Sequence, residues 1–75
     1  MSTTTTLADL PPETTKTIAN LAGDPVLVAR LRELGFIVGA DVKVVGRAPF
    51  GEPVLVEIRG STVALRKAEA RCVHL

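Results

Sequence analysis

The chain has 75 residues, of which 47% are hydrophobic, so it can form one small domain with a dense core. Nine basic and eight acidic residues leave a net charge of +1, which argues against a nucleic-acid-binding surface. One cysteine cannot form an internal disulfide, and no apolar run approaches the roughly 20 residues of a membrane span, so we expect a cytoplasmic protein without direct membrane insertion.

The first predicted elements are a tail, a turn and a strand. Residues 1–6 contain a serine and four threonines without an apolar pattern, which predicts a flexible tail before a domain over 7–75. Residues 7–10 predict a short turn. The β-branched residues of 14–21 predict a first strand with Ile18 as its main apolar anchor.

A short helix follows over residues 25–34, and both of its ends are marked. Asp24 can accept hydrogen bonds from the first free amides, and Pro25 suits the first helical position because its missing N–H would be unpaired there. Gly35 can adopt the left-handed conformation that ends a helix, which lets Phe36 fold back onto the last turn.

The two faces of this helix differ in character. Val28 and three leucines at helical spacing form an apolar stripe that we expect to face the core: Leu27, Leu31 and Leu34. The opposite side carries two small apolar residues and two residues able to form an ion pair, and we call it the outer helix face: Val26, Ala29, Arg30 and Glu33. Mixed faces of this kind are typical of transient protein contacts, although an ordinary solvated face fits the same pattern.

Two strands with alternating apolar residues are predicted over 41–47 and 54–59. The alternation places one set of side chains inward: Val42, Val44, Val54, Val56 and Ile58. Residues 48–53 between the strands contain two prolines and a glycine, which predicts a hairpin loop. Phe50 at its tip either folds down onto the core or points outward as an anchor for a partner.

The remaining elements are predicted from their turns. Gly60 and Ser61 are typical of a two-residue hairpin turn with glycine first, followed by a strand over 62–66. Residues 67–70 predict a single helical turn and 71–75 a last strand. Five short strands must protect their edges, and curling into a barrel does so. The sequence therefore predicts a mainly β fold, a small five-stranded β-barrel closed at one end by the helix.

Cys72 and His74 are the one tempting pair of metal ligands. They flank Val73 on the predicted last strand, whose inward residues are Val73 and Leu75, so both ligands would point outward on the same side. A closed zinc site needs about four ligands, and only two are offered here. We therefore assign no resident metal and no cofactor, and favour adventitious binding between two molecules over an iron site.

The sequence contains no set of residues typical of catalysis. The phosphate-binding motif GxxxxGK[ST] is absent, and a single histidine supports no assignable Ser/His/Asp set. The acidic residues are scattered singly, Glu69 among them, and we interpret them as charged surface residues. We predict that the protein is not an enzyme.

Several separated motifs resemble the FeoA family, the small accessory proteins of bacterial ferrous iron uptake. They include RLRELGF at 30–36, APFGEP at 48–53 and ALRKAEA at 64–70, and the resemblance covers residues 7–75. Departures such as Val38, where the family often has proline, concern loops. The resemblance implies an SH3-like barrel and a partner, the membrane-embedded, GTPase-bearing ferrous iron permease FeoB.

This resemblance implies a non-enzymatic cytoplasmic adaptor or regulator that is recruited to the inner face of the membrane by FeoB. We expect the contact to involve the outer helix face and a second surface, the tip loop: Pro49, Phe50, Gly51 and Glu52. The alternative is an iron-responsive module of the kind found at the C-terminus of diphtheria-toxin-repressor-like proteins, but no helix-turn-helix pattern accompanies the barrel. A monomer and a weak homo-oligomer both fit the sequence.

Overall fold

The computed structural model describes residues 5–75. Residues 1–4 of the predicted tail lie outside the described residues. Thr5 and Thr6, assigned to the same tail, lie against the other end of the domain. The Thr5 carbonyl accepts a hydrogen bond from the Leu75 amide at 2.8 Å, and Thr6 forms an isolated antiparallel bridge with His74.

Over residues 5–75, six strands and two α-helices follow a short 3₁₀ turn. In chain order the elements are the turn Leu7–Asp9, β1 Thr15–Thr17, β2 Asn20–Leu21, α1 Pro25–Glu33, β3 Asp41–Arg47, β4 Val54–Ile58, β5 Ser61–Leu65, α2 Lys67–Ala70 and β6 Val73–His74. The strands form two antiparallel sheets, one in the order β1-β3-β4-β5 and one of β2 with β6. The mainly β prediction is confirmed.

Residues 5–75 form six strands where five were predicted, because the first predicted strand divides, and the predicted closed barrel is not confirmed. The Ile18 amide donates to the Ala40 carbonyl at 2.8 Å beside β3, whereas the Ala19 amide donates to the His74 carbonyl at 2.8 Å beside β6. The chain thus passes from one sheet to the other around the buried Ile18. The hydrogen-bonded order of the larger sheet ends at β1 and β5, and α1 follows the second strand.

Both ends of α1 are formed as predicted. Asp24 Oδ1 accepts a hydrogen bond from the Val26 amide at 2.8 Å, and Pro25 occupies the first helical position. Gly35 takes a φ of +102°, so the Phe36 amide donates back to the Leu31 carbonyl at 3.0 Å. This cap turns the Phe36 side chain into the core, where it is fully buried.

One hydrophobic core joins the two sheets, α1 and the 3₁₀ turn. Val28 and Leu31 are the buried residues of α1, and Leu27 packs partly against them. Leu34 was predicted to face the core, but its side chain is 44% exposed. It is the C-cap residue, and the chain turns away directly after it, so Phe36 occupies the core in its place.

The turn between β4 and β5 lies one residue earlier than predicted. Ile58 pairs with Ser61, so the two turn residues are Arg59 and Gly60, with φ of +51° and +82°. Positive φ at both central positions defines a type I′ turn, whose twist matches that of the flanking strands. The strand that follows therefore begins at Ser61, and the helical turn at Lys67–Ala70 is confirmed.

Candidate functional site

The outer helix face lies on the solvent side of α1. All four of its residues are exposed, and Val26 retains 75% of its accessible surface. Together with Pro25 they line one shallow depression that is open to solvent. The structure thus brings these four predicted residues together on one surface.

Arg30 of this face pairs with a residue of α2 and not with one of its own helix. Its Nε lies 3.8 Å from Glu69 Oε2, whereas the sequence suggested an ion pair between Arg30 and Glu33. Glu69 itself was predicted to be a surface residue, but it is 8% exposed. Its Oε1 accepts a hydrogen bond from the Arg66 amide at 2.8 Å and so caps the first turn of α2.

The tip loop presents Phe50 outward. The side chain is 92% exposed, which selects the second of the two predicted orientations. The loop backbone is held by a hydrogen bond from the Gly51 amide to the Ala48 carbonyl at 2.8 Å. Glu52 Oε1 accepts from the Lys67 amide at 2.8 Å, which ties the loop to the start of α2.

α2 is therefore the element to which both candidate surfaces are attached. Its residue Glu69 meets Arg30 of the outer helix face, and its residue Lys67 meets Glu52 of the tip loop. Two residues of α2 thus contact two exposed surfaces that lie far apart in the sequence.

Sequence reasoning missed three exposed apolar side chains near the C-terminal end of α1. Leu34, Ile37 and Val38 are 44%, 41% and 61% exposed. Gly35 could have predicted this exposure, because a left-handed cap that buries Phe36 leaves the residues next to Phe36 at the surface.

The predicted outward position of Cys72 is wrong. Cys72 lies in the turn after α2, outside β6, so the strand alternation that paired it with His74 does not apply. The residue is 5% exposed, its Sγ lies 3.4 Å from the Ala68 carbonyl oxygen, and a Cβ added at Gly23 would lie 2.8 Å from that sulfur. His74 is half-buried on β6.

Among residues 5–75, no three His, Cys, Asp or Glu side chains form a group that could hold a metal ion. None of the described helices is long and apolar enough to cross a membrane.

These features define a small, mainly β domain with its candidate site on a helix face and a hairpin loop. A family model described as the FeoA domain matches residues 5–75. The chain therefore belongs to the FeoA family, as the motifs indicated. No curated protein sequence matches the chain.

Solved structures agree with this assignment. FeoA of Stenotrophomonas maltophilia, described as an SH3 domain protein in complex with zinc and as a candidate ferrous iron transport activating factor, is 37% identical; the match covers 92% of this chain and 86% of that one, with a TM-score of 0.80. A FeoA-like protein of Clostridium acetobutylicum is 22% identical over 99% of this chain and 86% of its own, with a TM-score of 0.88.

The same fold also occurs in a repressor. A manganese-dependent transcriptional repressor is 22% identical over 96% of this chain, with a TM-score of 0.86, and the match covers 40% of the repressor. At that identity the likeness concerns the fold alone.

Proposed function

We propose that this protein is a non-enzymatic accessory protein of ferrous iron uptake that binds the cytoplasmic, GTPase-bearing part of the permease FeoB. In this proposal it acts in the cytoplasm and is recruited to the inner face of the membrane by that contact. Membership of the FeoA family supports the link to ferrous iron transport.

The observation that carries the binding proposal is the exposure of two apolar side chains on structured elements. Val26 lies on the first turn of α1 and is 75% exposed, and Phe50 on the tip loop is 92% exposed. Aromatic and apolar anchors that a partner covers supply much of the affinity of protein interfaces. The outer helix face belongs to α1, and Glu52 ties the tip loop to the Lys67 amide, so little ordering of their backbone would accompany binding.

The test is the affinity of the purified protein for the isolated cytoplasmic part of FeoB, measured by isothermal titration calorimetry. We expect Val26→Asp and Phe50→Ala each to raise Kd by at least about tenfold, which corresponds to about 1.4 kcal/mol. Val26→Asp should not harm α1, because a carboxylate in the first turn interacts favourably with the helix dipole.

The matched controls are Val38→Asp, the same change at an exposed valine outside both surfaces, and Arg32→Glu on the same helix. Both should bind with the wild-type Kd. Unchanged affinity of the folded variants Val26→Asp, Arg30→Glu and Phe50→Ala would reject these surfaces, and absence of binding by the wild-type protein would reject the partner.

A further inference from the structure

β5 forms one edge of the larger sheet. Within residues 5–75 it pairs only with β4. Ile58 and Ser61 face each other beside a two-residue turn, so they form the first hydrogen-bonded pair of this hairpin. By alternation, the N–H and C=O groups of Thr62 and Ala64 point away from β4, and neither residue has another backbone partner in the described part of the chain.

This edge lacks the features that usually block strand pairing. Folded proteins protect sheet edges with very short strands, lysines, prolines or bulges. The opposite edge, β1, has three residues with Lys16 at its centre, whereas Ser61–Leu65 has five residues with no charge and no proline. Thr62 and Ala64 are both exposed. The β5 edge is therefore open to an added strand.

A cleft of about 330 Å³ lies at the C-terminal end of this edge, between β5, α1 and α2. Its lining combines three apolar residues with three charged ones: Leu27, Arg30, Ala64, Arg66, Ala68 and Glu69. The Glu69 carboxylate already accepts the Arg66 amide and lies beside Arg30. The Arg66 guanidinium has no ion pair within residues 5–75, so the cleft has an unneutralised positive charge.

We infer that the β5 edge binds an extended segment of a partner protein as an additional strand, and that the cleft binds an acidic side chain of that segment. The backbone groups of Thr62 and Ala64 supply hydrogen bonds that are independent of sequence, and Arg66 supplies the preference for a carboxylate. A second copy of β5 offers no carboxylate, because Ser61–Leu65 contains none. The inference does not rest on FeoB as the partner.

The experiment is an NMR titration of the ¹⁵N-labelled full chain with a capped peptide, Thr-Val-Thr-Glu-Thr-Val-Thr. We expect hydrogen exchange at the Thr62 and Ala64 amides to slow by about tenfold or more on saturation, as for amides that gain a hydrogen bond. Two analogues are N-methylated at alternate residues, one at the odd and one at the even positions. Only one of them should lose binding, because only one set of peptide amides faces β5.

The charge preference is tested by replacing the central glutamate of the peptide with lysine. The lysine peptide should bind wild-type protein at least about tenfold more weakly, since a hydrogen-bonded ion pair is lost. Arg66→Glu should weaken the glutamate peptide and strengthen the lysine peptide. Arg71→Glu, an exposed arginine outside the cleft, is the matched control and should alter neither.

Three results would overturn the inference. The first is equal binding of both N-methylated analogues, and the second is indifference of binding to the charge at Arg66. The third is protection of the Thr62 and Ala64 amides in peptide-free protein as its concentration is raised, since that would assign the edge to a second copy.

Discussion

Arg30 of α1 and Glu69 of α2 join the two helices, with 3.8 Å between Arg30 Nε and Glu69 Oε2. The two partners differ in exposure, because the side chain of Arg30 is 69% exposed and that of Glu69 is 10% exposed. An exposed arginine gains little from such a pair. Glu69 has a second partner in the Arg66 amide, so its main contribution is to the structure of α2.

This asymmetry predicts unequal effects on stability. We expect Arg30→Ala to lower the free energy of unfolding by less than about 1 kcal/mol. Glu69→Ala should cost about 1–2 kcal/mol, because the Arg66 amide loses its acceptor. Urea unfolding measures both. Glu69→Gln keeps an acceptor for that amide and serves as the control, and equal losses for the two alanine variants would contradict the assignment.

The cap at the start of α1 gives a second prediction. Asp24→Ala removes the acceptor of the Val26 amide and should lower the free energy of unfolding by about 1 kcal/mol. Asp24→Ser keeps a side-chain oxygen at this position and should retain most of the stability. The measurement is again the urea midpoint at constant m-value, and a serine variant as unstable as the alanine variant would count against the cap.

The opposite environments of two neighbours give a third prediction. Phe36 is fully buried and Ile37 is 41% exposed. Phe36→Ala should cost about 3–5 kcal/mol, a large share of the roughly 4–11 kcal/mol expected for a domain of this size. Ile37→Ala, the control next to it, should cost less than about 1 kcal/mol. Thermal and urea unfolding would show the difference, and similar losses at both positions would be inconsistent with this packing.

The close approach of Gly23 to Cys72 gives a fourth prediction. A Cβ at Gly23 would lie 2.8 Å from Cys72 Sγ but 3.7 Å from Cys72 Cβ, and the φ of Gly23 is +137°. Gly23→Ala should therefore be destabilising, and less so in a Cys72→Ala background, which removes the sulfur but leaves the backbone strain.

Gly39 supplies the control for this cycle. Its φ is +93°, and a Cβ there would meet nothing within 4 Å. Gly39→Ala should thus be strained by its backbone alone and show no coupling to Cys72→Ala. If Gly23→Ala lowers the free energy of unfolding equally with and without Cys72→Ala, contact with the sulfur is not what destabilises the Gly23→Ala variant.

Features determined by local sequence were predictable. Asp24, Pro25 and Gly35 act within one or two turns of α1, and each signal corresponds to a hydrogen bond or dihedral angle in the structure. The alternation of β3 and β4 likewise identified their buried valines, because burial on one face imposes a period of two. Each FeoA motif is a continuous stretch of sequence, so the family resemblance was also visible without the fold.

Features that depend on distant partners were not predictable. The division of the first strand at Ile18 depends on Ala40 and on His74, neither of which a local pattern reveals. The burial of Glu69 and of Cys72 follows from packing against α1 and Gly23. For the candidate site, residue composition identified the outer helix face and the tip loop, but their common attachment to α2 required the fold.

The pairing of both chain ends has a consequence for the order of folding during synthesis. The carbonyls of Cys72 and His74 accept amides from Ala22 and Ala19, and the Leu75 amide reaches Thr5. None of these bonds can form until the ribosome has added residues 72–75, whereas the β3-β4-β5 hairpins need only nearby residues. A released chain that ends at Arg71 should therefore still form the larger sheet, β1 included, while the amides of Ala19 and Ala22 lack the carbonyls that accept them.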